Sequence, residues 1–334
     1  MKHAVALLAA LMLLAGCTTT LSRSELAAEY YNLGTAFFDL GELERSADYL
    51  SRALELDETL ARASYNLARV YTLQQRYDQA EALLQELLTE DPDNTTVLAT
   101  LAYVAYSAGE QERAVELYDR VLAIDPGNVG ALYNRALIAM ERDNNEYAAS
   151  LLRQADELTE ADAEVFERLA EVEQRLGNTK AAIAALEELV ATGNTDTDLL
   201  LELASLYESI ERYDRALDTL DALLDDAPTA EAAAPAESRR ASILLTAAEE
   251  AEQGIEALQF ALEAGFSDVE RLEELREAAN LVAAEEVDDL LREYGIDLTA
   301  GEARQLPPTE DESREPVSEA EDRDKESGTN PDPE

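Results

Sequence analysis

Few side chains in this chain can do covalent chemistry. Its one cysteine, Cys17, and its one histidine, His3, flank an apolar N-terminal stretch. A serine triad, a cysteine–histidine dyad or a histidine metal site needs an imidazole in the folded body, and none is offered there. No glycine-rich phosphate loop occurs. The 73 acidic residues suit a charged helix surface better than a paired-acid mechanism, and the acidic turn at 141–146 lacks the ligand spacing of a calcium loop. No enzyme and no small-molecule cofactor is therefore expected. What remains is recognition. The doublets Tyr30-Tyr31 and Phe37-Phe38 stand seven residues apart in a helix-like stretch, so Tyr31 and Phe38 share one face.

The elements that position them follow from charge, leader and period. The formal charge of −47 on 334 residues is carried against only three lysines, Lys2, Lys180 and Lys325. Such a surface repels nucleic acid and strains the fold by self-repulsion unless salt screens it. Residues 1–16 read as a signal peptide: Lys2 and His3 give a charged start, and Ala4 to Ala15 form an apolar run too short to span a bilayer. One cysteine permits no intrachain disulfide.

The sequence Leu14-Ala15-Gly16-Cys17 resembles the lipobox of bacterial lipoproteins. The resemblance implies cleavage before Cys17 and a diacylglycerol on its thiol, with residues 17–26 as a lipid-anchored tether. At about 0.8 kcal/mol per buried CH₂, two or three acyl chains hold a protein to a membrane without a transmembrane helix. Thr18 in place of an aspartate points to the outer membrane, facing the periplasm.

From Ala27 to Ala230 the chain repeats every 34 residues without a gap. The units are 27–60, 61–94, 95–128, 129–162, 163–196 and 197–230. Their eighth residues are Gly34, Ala68, Ala102, Ala136, Ala170 and Ala204; their twentieth are Ser46, Ala80, Ala114, Ala148, Ala182 and Ala216. Each unit holds two amphipathic segments whose small residues let antiparallel helices approach closely. Turn signals such as "DPDN" and "DPGN" separate the units, with Asn, Asp or Thr placed to cap the next helix. No unit buries its apolar faces alone, so the units must stack.

Tyr30, Leu33, Gly34, Phe37, Gly41 and Ala53 make the first unit similar to a tetratricopeptide repeat. The resemblance implies an all-α fold, a right-handed superhelical solenoid of antiparallel helix pairs. Arg135 and Glu173 depart from it, standing where a leucine and an aromatic are expected. Residues 231–237 read as an insert. Residues 238–298 read as a degenerate seventh repeat with C-terminal capping helices, N-capped at Ser267 or Asp268 and stopped at Gly295. The acidic tail, 299–334, is expected to be disordered.

The resemblance also assigns a groove. The second, fifth, ninth, twelfth and thirteenth residues of each unit are expected on a concave inner face, which places Tyr31, Phe38, Arg62, Tyr65, Arg69, Tyr103, Tyr106, Tyr133, Leu137 and Met140 on an aromatic surface able to bind a protein or peptide. The matching positions further along include Glu164, Glu167, Glu171 and Glu208, an acidic half suited to a partner with a basic portion. The carboxylate clamp of some chaperone-binding members is not matched: of Tyr31, Thr35, Asn66, Thr96 and Thr100 at its places, only Asn66 fits. The expected function is a lipid-anchored scaffold in the bacterial cell envelope. The alternative is a structural or periplasmic-chaperone-like protein without a specific groove ligand.

Overall fold

The period of 34 is written into the backbone. In the computed structural model, which describes residues 22–159, 162–227, 229–248, 250–298 and the backbone of 304–305, the first helices are α1 (Arg23–Asp39), α3 (Ala61–Leu73), α5 (Thr95–Ser107), α7 (Val129–Glu141), α9 (Ala163–Arg175) and α11 (Thr197–Ser209). Their partners are α2 (Leu43–Leu56), α4 (Tyr77–Glu90), α6 (Gln111–Ile124), α8 (Asn145–Asp156) and α10 (Thr179–Ala191). From α3 onward each first helix starts 34 residues after the last, as does each second helix from α2.

Local chemistry sets these limits. The side chains of Asn94, Asn128, Asp162 and Asp196 accept from the opening amides of α5, α7, α9 and α11. Within each hairpin the turn passes through one residue in the left-handed region, at Gly41, Gln75, Gly109, Asp143, Gly177 and Glu211. Three of these six are not glycine.

The chain divides into two compact units after Arg212, between the two helices expected to form the sixth repeat. In the first unit the small residues of the eighth and twentieth positions are buried, and Ser46 Oγ donates to the Gly34 carbonyl at 2.8 Å. A Cβ on Gly34 would lie 2.6 Å from Leu50 Cγ, so only glycine fits under that leucine. Leu67, Leu101, Leu169 and Leu203 are buried at the seventh position, but Leu33 is 45% exposed. Leu67 and Leu101 pack against the second helix of the preceding unit. No preceding hairpin lies beside Leu33 among the described residues.

Both departures from the motif are accommodated. Arg135 donates to Asp119 at 2.9 Å and lies over the Tyr147 ring. Glu173 is buried and meets Arg153 and Asn178.

The second unit contains α12 (Tyr213–Asp226), α13 (Ala230–Thr246), α14 (Ala251–Glu263), α15 (Val269–Glu277) and α16 (Ala284–Glu293). Leu245, Leu258, Leu272, Leu275, Val287 and Leu291 share its core. Asp268 caps α15, and Gly295 follows α16 with φ +74°.

Three boundaries differ from expectation. Helix α1 begins inside the expected tether because Ser22 and Glu25 form a reciprocal capping box. Residues 231–237, expected as an insert, are opening turns of α13, with Thr229 as cap and the exposed Pro235 inside the helix, where it forgoes one backbone bond. Of the expected tail, Arg304–Gln305 pairs antiparallel with β1 (Ile296–Asp297) as β2, and the rest lies outside the described residues. Residues 1–21, with the expected signal peptide and Cys17, also lie outside them. Among the described residues no helix is long and apolar enough to cross a membrane.

Candidate protein-binding surface

The first helices of neighbouring repeats lie side by side, and their facing residues are joined by a recurrent offset. Asn66 Nδ2 donates to the Tyr31 hydroxyl at 3.4 Å and to Thr35 Oγ1 at 3.2 Å. The Tyr65 and Thr100 hydroxyls share a hydrogen bond at 3.0 Å. Tyr106 donates to Glu141, and Arg175 Nη1 reaches the Met140 carbonyl at 3.4 Å. The Tyr31–Asn66, Tyr65–Thr100, Tyr106–Glu141 and Met140–Arg175 pairs are each 35 residues apart, one more than the repeat. The fifth residue of one unit thus meets the sixth of the next, and the twelfth meets the thirteenth. The repeat arithmetic contains this offset, since a polar residue recurs at the sixth position as Asn66, Thr100, Asn134 and Arg168.

Cations complete the ladder. Arg62 lies over the Tyr31 ring at 4.4 Å, and Arg69 lies over Phe38 at 4.6 Å and Tyr65 at 6.0 Å. Tyr31, Phe38, Tyr65, Tyr106, Tyr133 and Leu137 are half-buried, while Arg62, Arg69 and Tyr103 are exposed. The rings expected to await a ligand are therefore partly engaged by the chain itself. Tyr30 and Phe37 stack instead on Tyr49 of α2, with centroids 5.9 and 5.1 Å away.

Met140 corrects the expected surface. It is only 5% exposed, because the twelfth position of its unit faces the core, and its backbone carbonyl rather than its thioether meets Arg175.

The electrostatics of the face change along its length. The bond to Glu141 pushes the Tyr106 phenol up to about 12. Burial, foremost, raises that of Tyr133. Around α9 and α11 a cavity of about 760 Å³ is lined by Glu167, Glu171, Asp196, Asp198 and Glu202, five carboxylates against Arg168 and Arg175. Arg168 pairs with Glu167 and Glu171 at 3.0 and 2.6 Å. Glu164 is exposed and Glu208 half-buried.

A second cavity, of about 380 Å³, opens between α3, α5 and α7 beside Tyr65, Ala99 and Tyr103. Its floor includes Tyr118 of α6, 1% exposed, whose hydroxyl has no hydrogen-bond partner among the described residues. Sequence reasoning passed over Tyr118. Its signal was present: the matching residue in the other five repeats is Leu50, Leu84, Leu152, Leu186 or Leu220.

Comparison with known proteins agrees with this architecture. A tetratricopeptide repeat family model matches residues 31–95 and 99–163, and a second matches 174–238. Over 92 residues, 28% of this chain, the sequence is 38% identical to an uncharacterized lipoprotein of Treponema pallidum (strain Nichols). The match spans 47% of that protein, about half its length. Among solved structures, PilF of Pseudomonas aeruginosa superposes with a TM-score of 0.52 at 20% identity, over 64% of this chain and 97% of its own. PilW, described as a widely conserved type IV pilus biogenesis factor, gives a TM-score of 0.51 at 16% identity, over 62% and 96%. Both likenesses are of fold. With repeat matches over more than half its length and the helix period to go with them, the chain belongs to the tetratricopeptide repeat family.

Proposed function

We propose that this protein is a lipid-anchored adaptor of the bacterial cell envelope, binding a segment of a partner polypeptide along the face of its first helices. The observation that carries this reading is Tyr103, 43% exposed beside a cavity of about 380 Å³ on that face. Exposed aromatic rings next to concave apolar surface supply binding energy when a partner covers them. The acidic cavity around α9 and α11 suits a basic portion of the same partner. The lipobox-like Leu14 to Cys17 and the lipoprotein name of a partial relative support an acyl anchor on Cys17, outer-membrane attachment facing the periplasm being the form we favour. Anchoring raises the effective concentration near membrane-bound partners.

One observation favours the alternative of a structural or chaperone-like envelope protein. The rings of Tyr31, Phe38 and Tyr65 already carry cations from Arg62 and Arg69. The readings separate by photo-crosslinking in intact envelopes from a probe at position 103 and from one at the exposed Glu116 on α6. A defined partner captured from 103 and not from 116 supports the adaptor. Equal, diffuse capture from both refutes it.

A further inference from the structure

The acidic shell of this chain has a gap. Of its 73 acidic residues none falls in α3 or α5, whereas α9 alone carries Glu164, Glu167, Glu171 and Glu173. The cations of that gap are also kept from the chain's own carboxylates. Every arginine from Arg113 to Arg175 pairs with an aspartate or glutamate. Arg62 and Arg69, seven residues apart on one face of α3, have no ion-pair or hydrogen-bond partner among the described residues.

Arg69 is the better placed of the two. Its contacts are with rings, Phe38 at 4.6 Å and Tyr65 at 6.0 Å. Stacking occupies the faces of a guanidinium and leaves the N–H fork in its plane for an acceptor. The same side chain lines the cavity of about 380 Å³, with Thr96 and Asn134 beside it and no acidic residue in the wall. Asn134 gives one amide hydrogen to the Gly130 carbonyl at 2.7 Å and keeps another. Donors and apolar rings thus converge on an opening for which the chain supplies no anion.

We propose that the mouth of this cavity binds an aspartate or glutamate side chain of a partner polypeptide, whose carboxylate accepts from the Arg69 fork while its apolar neighbours cover Tyr65 and Tyr103. The proposal rests on the adaptor reading and gives the partner a polarity: an acidic residue over α3 and α5, a basic portion over α9 and α11. A nucleic acid or other polyanion is repelled by the chain's net charge of −47. A single carboxylate instead feels mainly the charges within about 8 Å at physiological salt. A terminal carboxylate is disfavoured because Tyr31, Thr35, Thr96 and Thr100 stand where the clamp for one would be.

The test pans a random dodecapeptide library, displayed at the N-terminus of a phage coat protein, on the detergent-solubilised full chain. No peptide in that format has a free C-terminus, so any acidic preference belongs to side chains. Binders selected on wild type should be enriched in Asp or Glu next to aliphatic or aromatic residues. The strongest, synthesised with both ends blocked, should lose about five-fold in affinity when its acidic residue becomes Gln. Arg69→Gln should cost about as much, and making both changes should cost little more than either. Arg69→Glu should reverse the preference, so that the peptide with Lys at that place binds better than the one with Glu. Arg69 is exposed, so these variants read the contact rather than the fold. No selected peptide, no acidic enrichment, additive losses, or the same peptides selected on Arg69→Gln would each overturn the proposal. If selection shows no acidic preference while position 103 still captures a defined partner, this site falls and the adaptor stands. If acidic peptides bind through Arg69 while position 103 captures nothing in the envelope, the reverse holds.

Discussion

Arg153 on α8 closes over the carboxylate of Glu173 on α9, whose side chain is only 1% exposed. Asn178 donates to the same carboxylate at 2.8 Å. A carboxylate stands here where the repeat pattern expects a ring, and it survives because two donors replace water. Removing one donor leaves the charge under-satisfied. Arg153→Ala should cost about 1–3 kcal/mol, less than a wholly buried pair because Arg153 itself is half exposed and Asn178 remains. Glu173→Leu should be neutral or stabilising, since an apolar side chain needs no donor at all. Urea unfolding of both variants checks the asymmetry, and equal losses would contradict it.

The hairpin turns offer a conformational prediction. Gln75 has φ 59° at a place where Gly109 has φ 84°. The left-handed region crowds a Cβ against the backbone, and glycine avoids this at some cost in unfolded-chain entropy. Gln75→Gly should therefore stabilise by about 0.5 kcal/mol, and Gly109→Ala should destabilise by about 1 kcal/mol. No heavy atom lies within 4 Å of a Cβ built on Gly109, so that cost would be purely conformational. Asp143→Gly should gain less, because aspartate tolerates this region better. Thermal melts of the three variants should order them accordingly.

These turns also show what the sequence discloses. The period, the small residues at the eighth and twentieth positions and the caps at Asn94 and Asn128 are local or periodic features, so the helical hairpins of the repeat were legible in it. The start of α1 was not, because Ser22 and Glu25 form their box outside the repeat. Nor was α13, whose Ala-rich opening carries no period and contains Pro235. The ladder went unread for another reason. Its pairs join one unit to the next at an offset set by helix packing, and reading each unit alone makes Tyr31 and Tyr65 look free. Tyr118 was hidden because a buried tyrosine in a leucine column looks like ordinary core until its hydroxyl is traced.

Acid stability should depend on Glu81. A hydrogen bond from Arg113, foremost, holds its carboxyl below the ordinary 4.5, with burial opposing. Arg113 Nη1 lies 2.9 Å from Glu81 Oε2. A carboxyl lowered in the fold contributes stability that is present above its unfolded value and lost as pH falls through the folded one. Glu81→Gln should therefore cost stability at pH 7, and its difference from wild type should shrink as pH drops below about 4.5. The difference is the quantity to follow, because protonating other carboxylates relieves self-repulsion in both proteins. A difference unchanged down to about pH 2 would show that the pair contributes nothing.

Anchoring can be read without knowing a partner. Cys17→Ser removes the only thiol an acyl transferase could modify. Labelling with a radioactive fatty acid should be lost, and the protein should move from the membrane fraction to the soluble one. Retained labelling or unchanged fractionation would remove the lipobox reading.

Arg69 lies over two rings, Phe38 at 4.6 Å and Tyr65 at 6.0 Å, in a chain of net charge −47. Two effects should therefore be superposed in Arg69→Gln. Loss of the stacked cation should cost about 0.5–1 kcal/mol and respond weakly to salt, because the guanidinium and ring are in contact. Loss of one positive charge from an acidic surface adds a long-range term that screening removes beyond about 8–10 Å near physiological salt. Urea titrations of wild type and variant at low salt and at about 1 M NaCl separate them, since the Debye length there is about 3 Å. The part of the loss that salt abolishes measures net charge, and the part that persists measures the stack. A loss abolished entirely by salt would mean that the ring contacts hold nothing together, leaving the rings of Phe38 and Tyr65 available to a partner at no internal cost.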